Sequence, residues 1–183
     1  MLDVAREAAT RGPYAGRRDR AEPLARPTRR LWEQVMEHIR EEIRIEAPVD
    51  HVWAYLCDTT HWHDWMPRGE ASNFTGPYDQ VGTTYVSKFK LMGFEMKQTS
   101  TVVEVEPLKL IHEHTDDGPM ETFMRFAPEG DATRVVLESD YEMPGYIPGF
   151  VKKLMTRSFF ERQTRHMLGD IKAFAEATVP VPA

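Results

Sequence analysis

Residues 43–67 read IRIEAPVDHVWAYLCDTTHWHDWMP. The first four, Ile43, Arg44, Ile45 and Glu46, alternate apolar and charged side chains, the pattern of a strand with one face on a core and one in water. Pro48 ends that strand. A proline in a first helical turn forfeits no needed hydrogen bond, and the Asp50 carboxylate can cap or favour the helix N-terminus. The spacing of Val52, Trp53, Leu56 and Cys57 predicts a short amphipathic helix over about 50–57. Asp58-Thr59-Thr60 is a second cap signal. It opens a helical turn over 60–65 that Met66-Pro67 closes, because a residue before proline leaves the helical region.

Downstream of Pro67 the chain alternates between strand-like runs and turn residues. Ala71 to Thr75 precedes Gly76-Pro77, Thr83 to Leu91 precedes Gly93, and Phe94 to Val105 precedes Pro107. Leu108 to Thr115 then precedes Asp116-Asp117-Gly118-Pro119, Met120 to Phe126 precedes Glu129-Gly130-Asp131, and Thr133 to Tyr141 ends at Pro144-Gly145. With the strand at residue 43 this makes seven strands, joined by loops short enough for antiparallel neighbours. Tyr85, Ser87, Phe89 and Leu91 share one sheet face, as do Met120, Thr122, Met124 and Phe126. From Ile147 to Ala177 the composition is helical. Its apolar stripe runs through Ile147, Val151, Leu154, Met155 and Ser158, then shifts to Phe160, Thr164, Met167, Ile171 and Phe174, which predicts a break near 159–162. The order is α+β, and a curved antiparallel sheet wrapped around one long helix satisfies it.

At 183 residues with a single cysteine, the chain is one domain with no internal disulfide, large enough to enclose a cavity. Cys57, on a helix beside Trp53, reads as a small core residue. No apolar run approaches the roughly 18 residues a membrane span needs, so the protein is expected to be soluble and cytoplasmic. The formal charge of −6 divides into +4 for residues 1–30, with eight arginines against four acids, and −10 for the rest. An acidic body excludes a dedicated nucleic-acid-binding domain. The basic segment carries Gly12-Pro13, Pro23 and Pro27 and no apolar period, so residues 1–35 read as a disordered tail or a mis-assigned start. The folded domain is expected over 36–178, with 179–183 as a second tail.

These residues resemble a known family. Ile45-x-Ala47-Pro48-x-x-x-Val52-Trp53-x-x-Leu56-x-Asp58, then Trp62-x-x-Trp65-x-Pro67, is similar to the opening of the START-like, or SRPBCC, superfamily in its polyketide cyclase/dehydrase branch. Glu104-x-Glu106-Pro107-x-x-Leu110 and Gly130-x-x-Thr133-Arg134-Val135 match the middle of such proteins, and the resemblance runs from about Met36 to Ala177. It implies a helix-grip fold with an apolar cavity between sheet and C-terminal helix. It also implies a hydrophobic ligand, lipid or polyketide-like, held by a carrier or sensor. A metal-free cyclase or dehydratase and a co-chaperone-like interaction module stand as alternatives.

Candidate lining residues are Trp62, Trp65, Tyr85, Phe89, Met96, His112, His114, Met124, Phe150 and Leu154. Trp62 and Trp65 present wide apolar area with one donor each and suit either a pocket mouth or a plug in the sheet's end. The methionines suit core filling or a wall that adapts to variable ligands. For proton transfer near a carbonyl the candidates are His112, His114, Tyr85 and Tyr141, with Arg125 or Arg134 to polarise an oxygen. On a strand, His112 and His114 share a face with Leu108 and Leu110 and could point together into a cavity. His61-x-His63 lies in a helical turn, where a spacing of two separates the side chains. No structural-zinc spacing is present and no cofactor is expected. The resemblance implies an arginine and aromatic hydroxyls for cyclase chemistry, yet residues 94–100 contain no arginine. Residues 150–165 hold Lys152, Lys153, Arg157, Arg162 and Arg165 beside Phe150, Leu154, Phe159 and Phe160. That basic amphipathic stretch suits either peripheral contact with an anionic membrane or packing on the acidic sheet.

Overall fold

The computed structural model describes residues 37–66, 69–91, 94–116, 119–142, 149–150 and 156–179, without the side chains of Leu91 and Phe94. The expected tail over 1–35, the lining candidate Leu154 and the stripe residues Ile147, Val151 and Met155 lie outside them. The chain forms β1 (Glu37–Ile45), α1 (Val49–Cys57), a 3-10 turn (Thr59–His61) and α2 (Trp62–Trp65). There follow β2 (Gly69–Ser72), β3 (Thr84–Leu91), β4 (Phe94–Glu106), β5 (Leu110–Thr115), β6 (Met120–Glu129), β7 (Ala132–Tyr141) and α3 (Arg157–Ala177). The seven strands make one antiparallel sheet in the order β1-β7-β6-β5-β4-β3-β2. Every neighbour from β2 to β7 follows by a meander connection, and β1 closes the far edge against β7.

Alternation in β1 continues upstream of the opening stretch. Ile39, Ile43 and Ile45 turn inward while Arg40, Glu42 and Arg44 turn outward, so the strand begins at Glu37 rather than at residue 43. Pro48 occupies the N-cap of α1 in an extended conformation with no side-chain capping bond. Asp50 therefore acts from the first turn, where a carboxylate meets the positive end of the helix dipole. The second cap is side-chain based: Asp58 accepts from the Thr60 backbone N–H at 3.0 Å.

Turn chemistry sets the register of the later strands. Gly130, at φ 67°, lies in the tight connection that pairs Glu129 with Ala132, a left-handed conformation that glycine adopts without a Cβ penalty. Leu108 sits at φ 63° in the turn before β5, so that strand starts at Leu110 rather than Leu108. A register shift in β4 between Val102 and Glu104 puts Val102 and Val105 on the same face, with Glu104 pointing away. Bulges of this kind sharpen the bend of a sheet.

The core lies on the concave side of the sheet. Ile45, Val52, Leu56, Val102, Ile111, Val135, Leu168 and Ile171 are fully buried in one cluster. The buried line of α3 is Thr164, Leu168, Ile171 and Ala175, so Leu168 and Ala175 take the places expected for Met167 and for Phe174, which is exposed. Thr156, extended at ψ 161°, precedes α3, so the break in the C-terminal helical region falls a few residues before the expected position. Polar groups lock α3 to β1. Arg165 donates to both oxygens of Glu41, Lys172 donates to the Arg44 carbonyl at 2.7 Å, and the Glu46 N–H donates to Glu176 at 2.6 Å.

Candidate functional site

Two adjacent rungs of the sheet carry polar side chains across the concave face. Tyr85 on β3, Ser100 on β4 and Thr115 on β5 lie opposite one another in one rung. Val102, Glu113, Thr122 and Ser139 form the next, on β4 to β7. Hydroxyls pair within the rungs: Ser100 with Thr115 at 2.8 Å and Thr122 with Ser139 at 3.2 Å. Ile111, Met124, Leu137 and Val135 are apolar neighbours on this face, and Ser87 on β3 with Gln98 on β4 adds a further polar pair at the next rung.

Glu113 is the carboxylate of this face and is buried. Burial pushes its carboxyl up to about 7, against the pull of the Tyr85 and Tyr78 hydroxyls, which favour the charged form. The same burial, together with the Glu113 charge, holds both phenols well above their ordinary value. Glu113 Oε1 is buried without a hydrogen-bond partner, and so is Trp65 Nε1. An unpaired buried polar atom costs about 1–3 kcal/mol, so these two, one on β5 and one on α2, call for an explanation.

Aromatic rings enclose this polar group. Trp62 meets Phe74, Tyr78 and Tyr85 edge-on at 5.2, 4.6 and 5.0 Å, and lies 5.0 Å from Trp65. Its indole N–H donates to the Leu56 carbonyl at 2.9 Å, which ties α2 to the end of α1. Phe74 stacks on Tyr85 at 5.1 Å. The dipole and capping signals that start α1 and the 3-10 turn thus deliver Trp62 and Trp65 onto the β3 side of the sheet. Cys57 packs beside this group, its thiol pushed up to about 12 by burial and by Asp79, which leaves it a packing residue rather than a nucleophile.

Several expected site residues lie elsewhere. His112 and His114 project from the convex face, opposite in parity to Ile111, Glu113 and Thr115, and both donate to Glu121 on β6, at 2.7 and 2.6 Å. His112 also stacks on Phe123 at 4.0 Å. They do not point into the concavity. Arg125 and Arg134 are convex too, paired with Glu138 and Glu129. They border a surface groove of about 350 Å³ with Arg40 and Lys109 over a floor of Leu110 and Val136. Tyr141 faces inward at the β7 end of the rung that holds Tyr85, Ser100 and Thr115, and its ring packs there on Phe160 of α3 at 4.6 Å. Phe150 is exposed. His61 stacks on Tyr55, and His63 is exposed beside Asp64. Arg157 pairs with Glu161 within α3, and Arg165 pairs with Glu41 of β1. Among the described residues, no group of three or more His, Cys, Asp or Glu could hold a metal ion.

Tyr85, Phe89, Met96, Met124, Trp62 and Trp65 do share the concave side. Glu113 and Tyr78 are the residues that the sequence reading missed. In Leu110-Ile111-His112-Glu113-His114-Thr115 both parities begin apolar, so alternation does not say which set faces in. Ile111 and Thr115, β-branched residues flanking Glu113 on one parity, are the signal available.

Glu121 holds the His114 ring above its ordinary value through its hydrogen bond, with Asp116 adding to the effect. The folded-state value is therefore the higher one. The pairing stabilises the fold fully below the ordinary histidine value and is lost as pH rises through the raised value. With the His114 side chain 38% exposed, it contributes under about 1 kcal/mol. Glu121→Gln should lower the His114 midpoint in an NMR titration of its ring. An unmoved midpoint would remove Glu121 as the cause.

The family model for polyketide cyclase/dehydrase and lipid transport matches residues 36–176. No curated protein matches the chain. Among solved structures, TTHA0849 from Thermus thermophilus superposes with a TM-score of 0.64 at 19% identity, over 79% of this chain and 100% of that one. The Zhui aromatase/cyclase from Streptomyces sp. R1128 gives 0.68 at 18% identity, over 80% of this chain and 97% of that one. The di-domain ARO/CYC BexL from the BE-7585A biosynthetic pathway gives 0.60 at 19% identity, over 79% of this chain and 48% of that one. At these identities the likeness is one of fold, the helix grip.

Proposed function

The chain belongs to the polyketide cyclase/dehydrase and lipid transport family, and from that premise we propose that it binds a hydrophobic small molecule against the concave face of its sheet, as a carrier or sensor. The observation that carries this reading is the pair of buried, unpartnered polar atoms, Glu113 Oε1 and Trp65 Nε1, set among apolar and aromatic side chains. A mostly apolar wall with a few convergent polar groups is the usual make-up of a small-molecule site. Native mass spectrometry of protein freshly purified from its own host should show a bound apolar mass that organic extraction releases. Repeated recovery of empty protein that takes up no apolar ligand would remove the carrier reading.

A second reading, a cyclase or dehydratase, is favoured by one specific feature. Glu113 stands between two phenols with its carboxyl pushed up to about 7, where one group can both give and take a proton at neutral pH. Under this reading Glu113→Gln and Tyr85→Phe remove turnover of a polyketide-type substrate while leaving its binding in place. Turnover that survives both changes would exclude these residues as its acid and base.

A further inference from the structure

We propose that Glu113 is the specificity residue of the concave site, selecting uncharged hydrophobic ligands that carry a hydroxyl and rejecting ligands of similar size and shape that carry a carboxylate. The proposal rests on the small-molecule reading above and adds the chemical class of the ligand. Its ground is one buried acceptor and one buried donor. Glu113 Oε1 and Trp65 Nε1 are both buried on the concave side without partners. A hydroxyl can satisfy either atom, because it donates to a carboxylate oxygen and accepts from an indole N–H.

The polar groups next to this pair are engaged within the protein. The Ser100 and Thr115 hydroxyls engage each other, as do those of Thr122 and Ser139. The Tyr78 and Tyr85 hydroxyls act on Glu113 itself. Trp62 Nε1 is spent on the Leu56 carbonyl. The charged arginines Arg40, Arg125 and Arg134 lie on the convex face, each with a carboxylate partner. A carboxylate ligand entering the concave face would therefore meet a buried acid and, among the described residues of its two polar rungs, no cation. A bare hydrocarbon would leave both polar atoms unpaired. Sites built to bond a ligand hydroxyl discriminate against analogues that lack it for this reason.

Glu113 titrates near neutrality, so the rejection is pH-dependent. The groups around it are Tyr78 and Tyr85, which stay protonated well above that range, and the uncharged hydroxyls of β4 to β7. As pH rises past about 7 the carboxylate form grows, which strengthens acceptance from a hydroxyl and repulsion of an anion.

Isothermal titration calorimetry of the full chain with para-butylphenol, para-butylbenzoate and butylbenzene tests this. At about pH 8 the phenol should bind at least about tenfold more tightly than either analogue. The margin over the benzoate should shrink at about pH 6. In Glu113→Gln the benzoate margin should narrow at least about threefold from its wild-type value at about pH 8 and lose its pH dependence, with Glu113→Leu as a second variant and circular dichroism confirming that each variant folds. Binding of all three compounds alike in the wild-type protein would overturn Glu113 as the selector while leaving the apolar site standing. Tighter binding of the benzoate would overturn it equally. Binding of none would overturn both the selector and the small-molecule reading beneath it.

Discussion

Replacing Trp62 by alanine is expected to destabilise the fold by about 3–5 kcal/mol, the range seen when a large aromatic leaves a packed core. Trp62 is only 3% exposed and makes ring contacts with Phe74, Tyr78, Tyr85 and Trp65 at 4.6 to 5.2 Å. Those four residues come from α2, from β3 and from the segment that precedes β3, so one truncation opens a void shared by several elements. It also removes the donor to the Leu56 carbonyl, leaving a buried acceptor unpaired. Urea denaturation followed by circular dichroism should show the midpoint falling with an unchanged slope. Trp62→Phe should recover part of the loss through ring packing but not the hydrogen bond. A loss below about 1 kcal/mol for Trp62→Ala would mean that this aromatic group is not packed as described.

Glu113→Gln should act in the opposite direction at alkaline pH. The Glu113 carboxyl moves from an ordinary value of 4.5 to about 7 on folding because burial disfavours its charged form. Between those two values the folded chain keeps a proton that the unfolded chain releases. Stability therefore falls as pH rises across that window, by up to about 3 kcal/mol, and levels off above it. Glutamine preserves the shape and cannot ionise. The variant should thus exceed the wild-type protein by about 2–3 kcal/mol at about pH 8 and match it near pH 4.5, where Glu113 is protonated in the folded state. Comparing the two proteins by denaturation at each pH isolates this residue from the other carboxylates. A variant less stable than wild type at about pH 8 would mean that the carboxylate is held by its partners rather than penalised by burial. The expected cost of keeping Glu113 is that of a group retained for function at the expense of stability.

The order of elements was legible because the sequence punctuates it. Pro48, Asp58, Pro107 and Gly130 stand at or beside element ends, and the alternation of Ile43, Arg44, Ile45 and Glu46 marks a strand with one buried face. Seven strands, two short helices and a C-terminal helix all followed from such local signals. The site was less legible because its content depends on parity. Leu110 and Ile111 are adjacent apolar residues, so β5 gives no alternation from which to choose a face, and a one-residue error exchanges Glu113 for His112 and His114. The histidines are conspicuous in sequence yet engage Glu121 on the outer surface. Tyr78 carried no periodic signal at all, since it lies in a turn-rich connection before β3. Phe174 shows a third limit: the apolar stripe of α3 was placed about one residue out of phase, because Thr164 and Ile171 fit either of two neighbouring lines.

The central claim is that the concave face around Glu113 and Trp65 holds the ligand. Two-dimensional ¹H–¹⁵N NMR of the full chain, titrated with para-butylphenol at about pH 8, tests it most directly, with the Trp65 indole N–H assigned by Trp65→Phe. This signal should shift downfield and saturate on binding, together with the backbone amides of Ser100, Glu113 and Thr122, while those of His112, Phe123 and Arg125 shift far less. A titration in which the Trp65 indole stays fixed, or in which the largest shifts cluster at Arg40, Arg125 and Arg134 on the convex face, would contradict it.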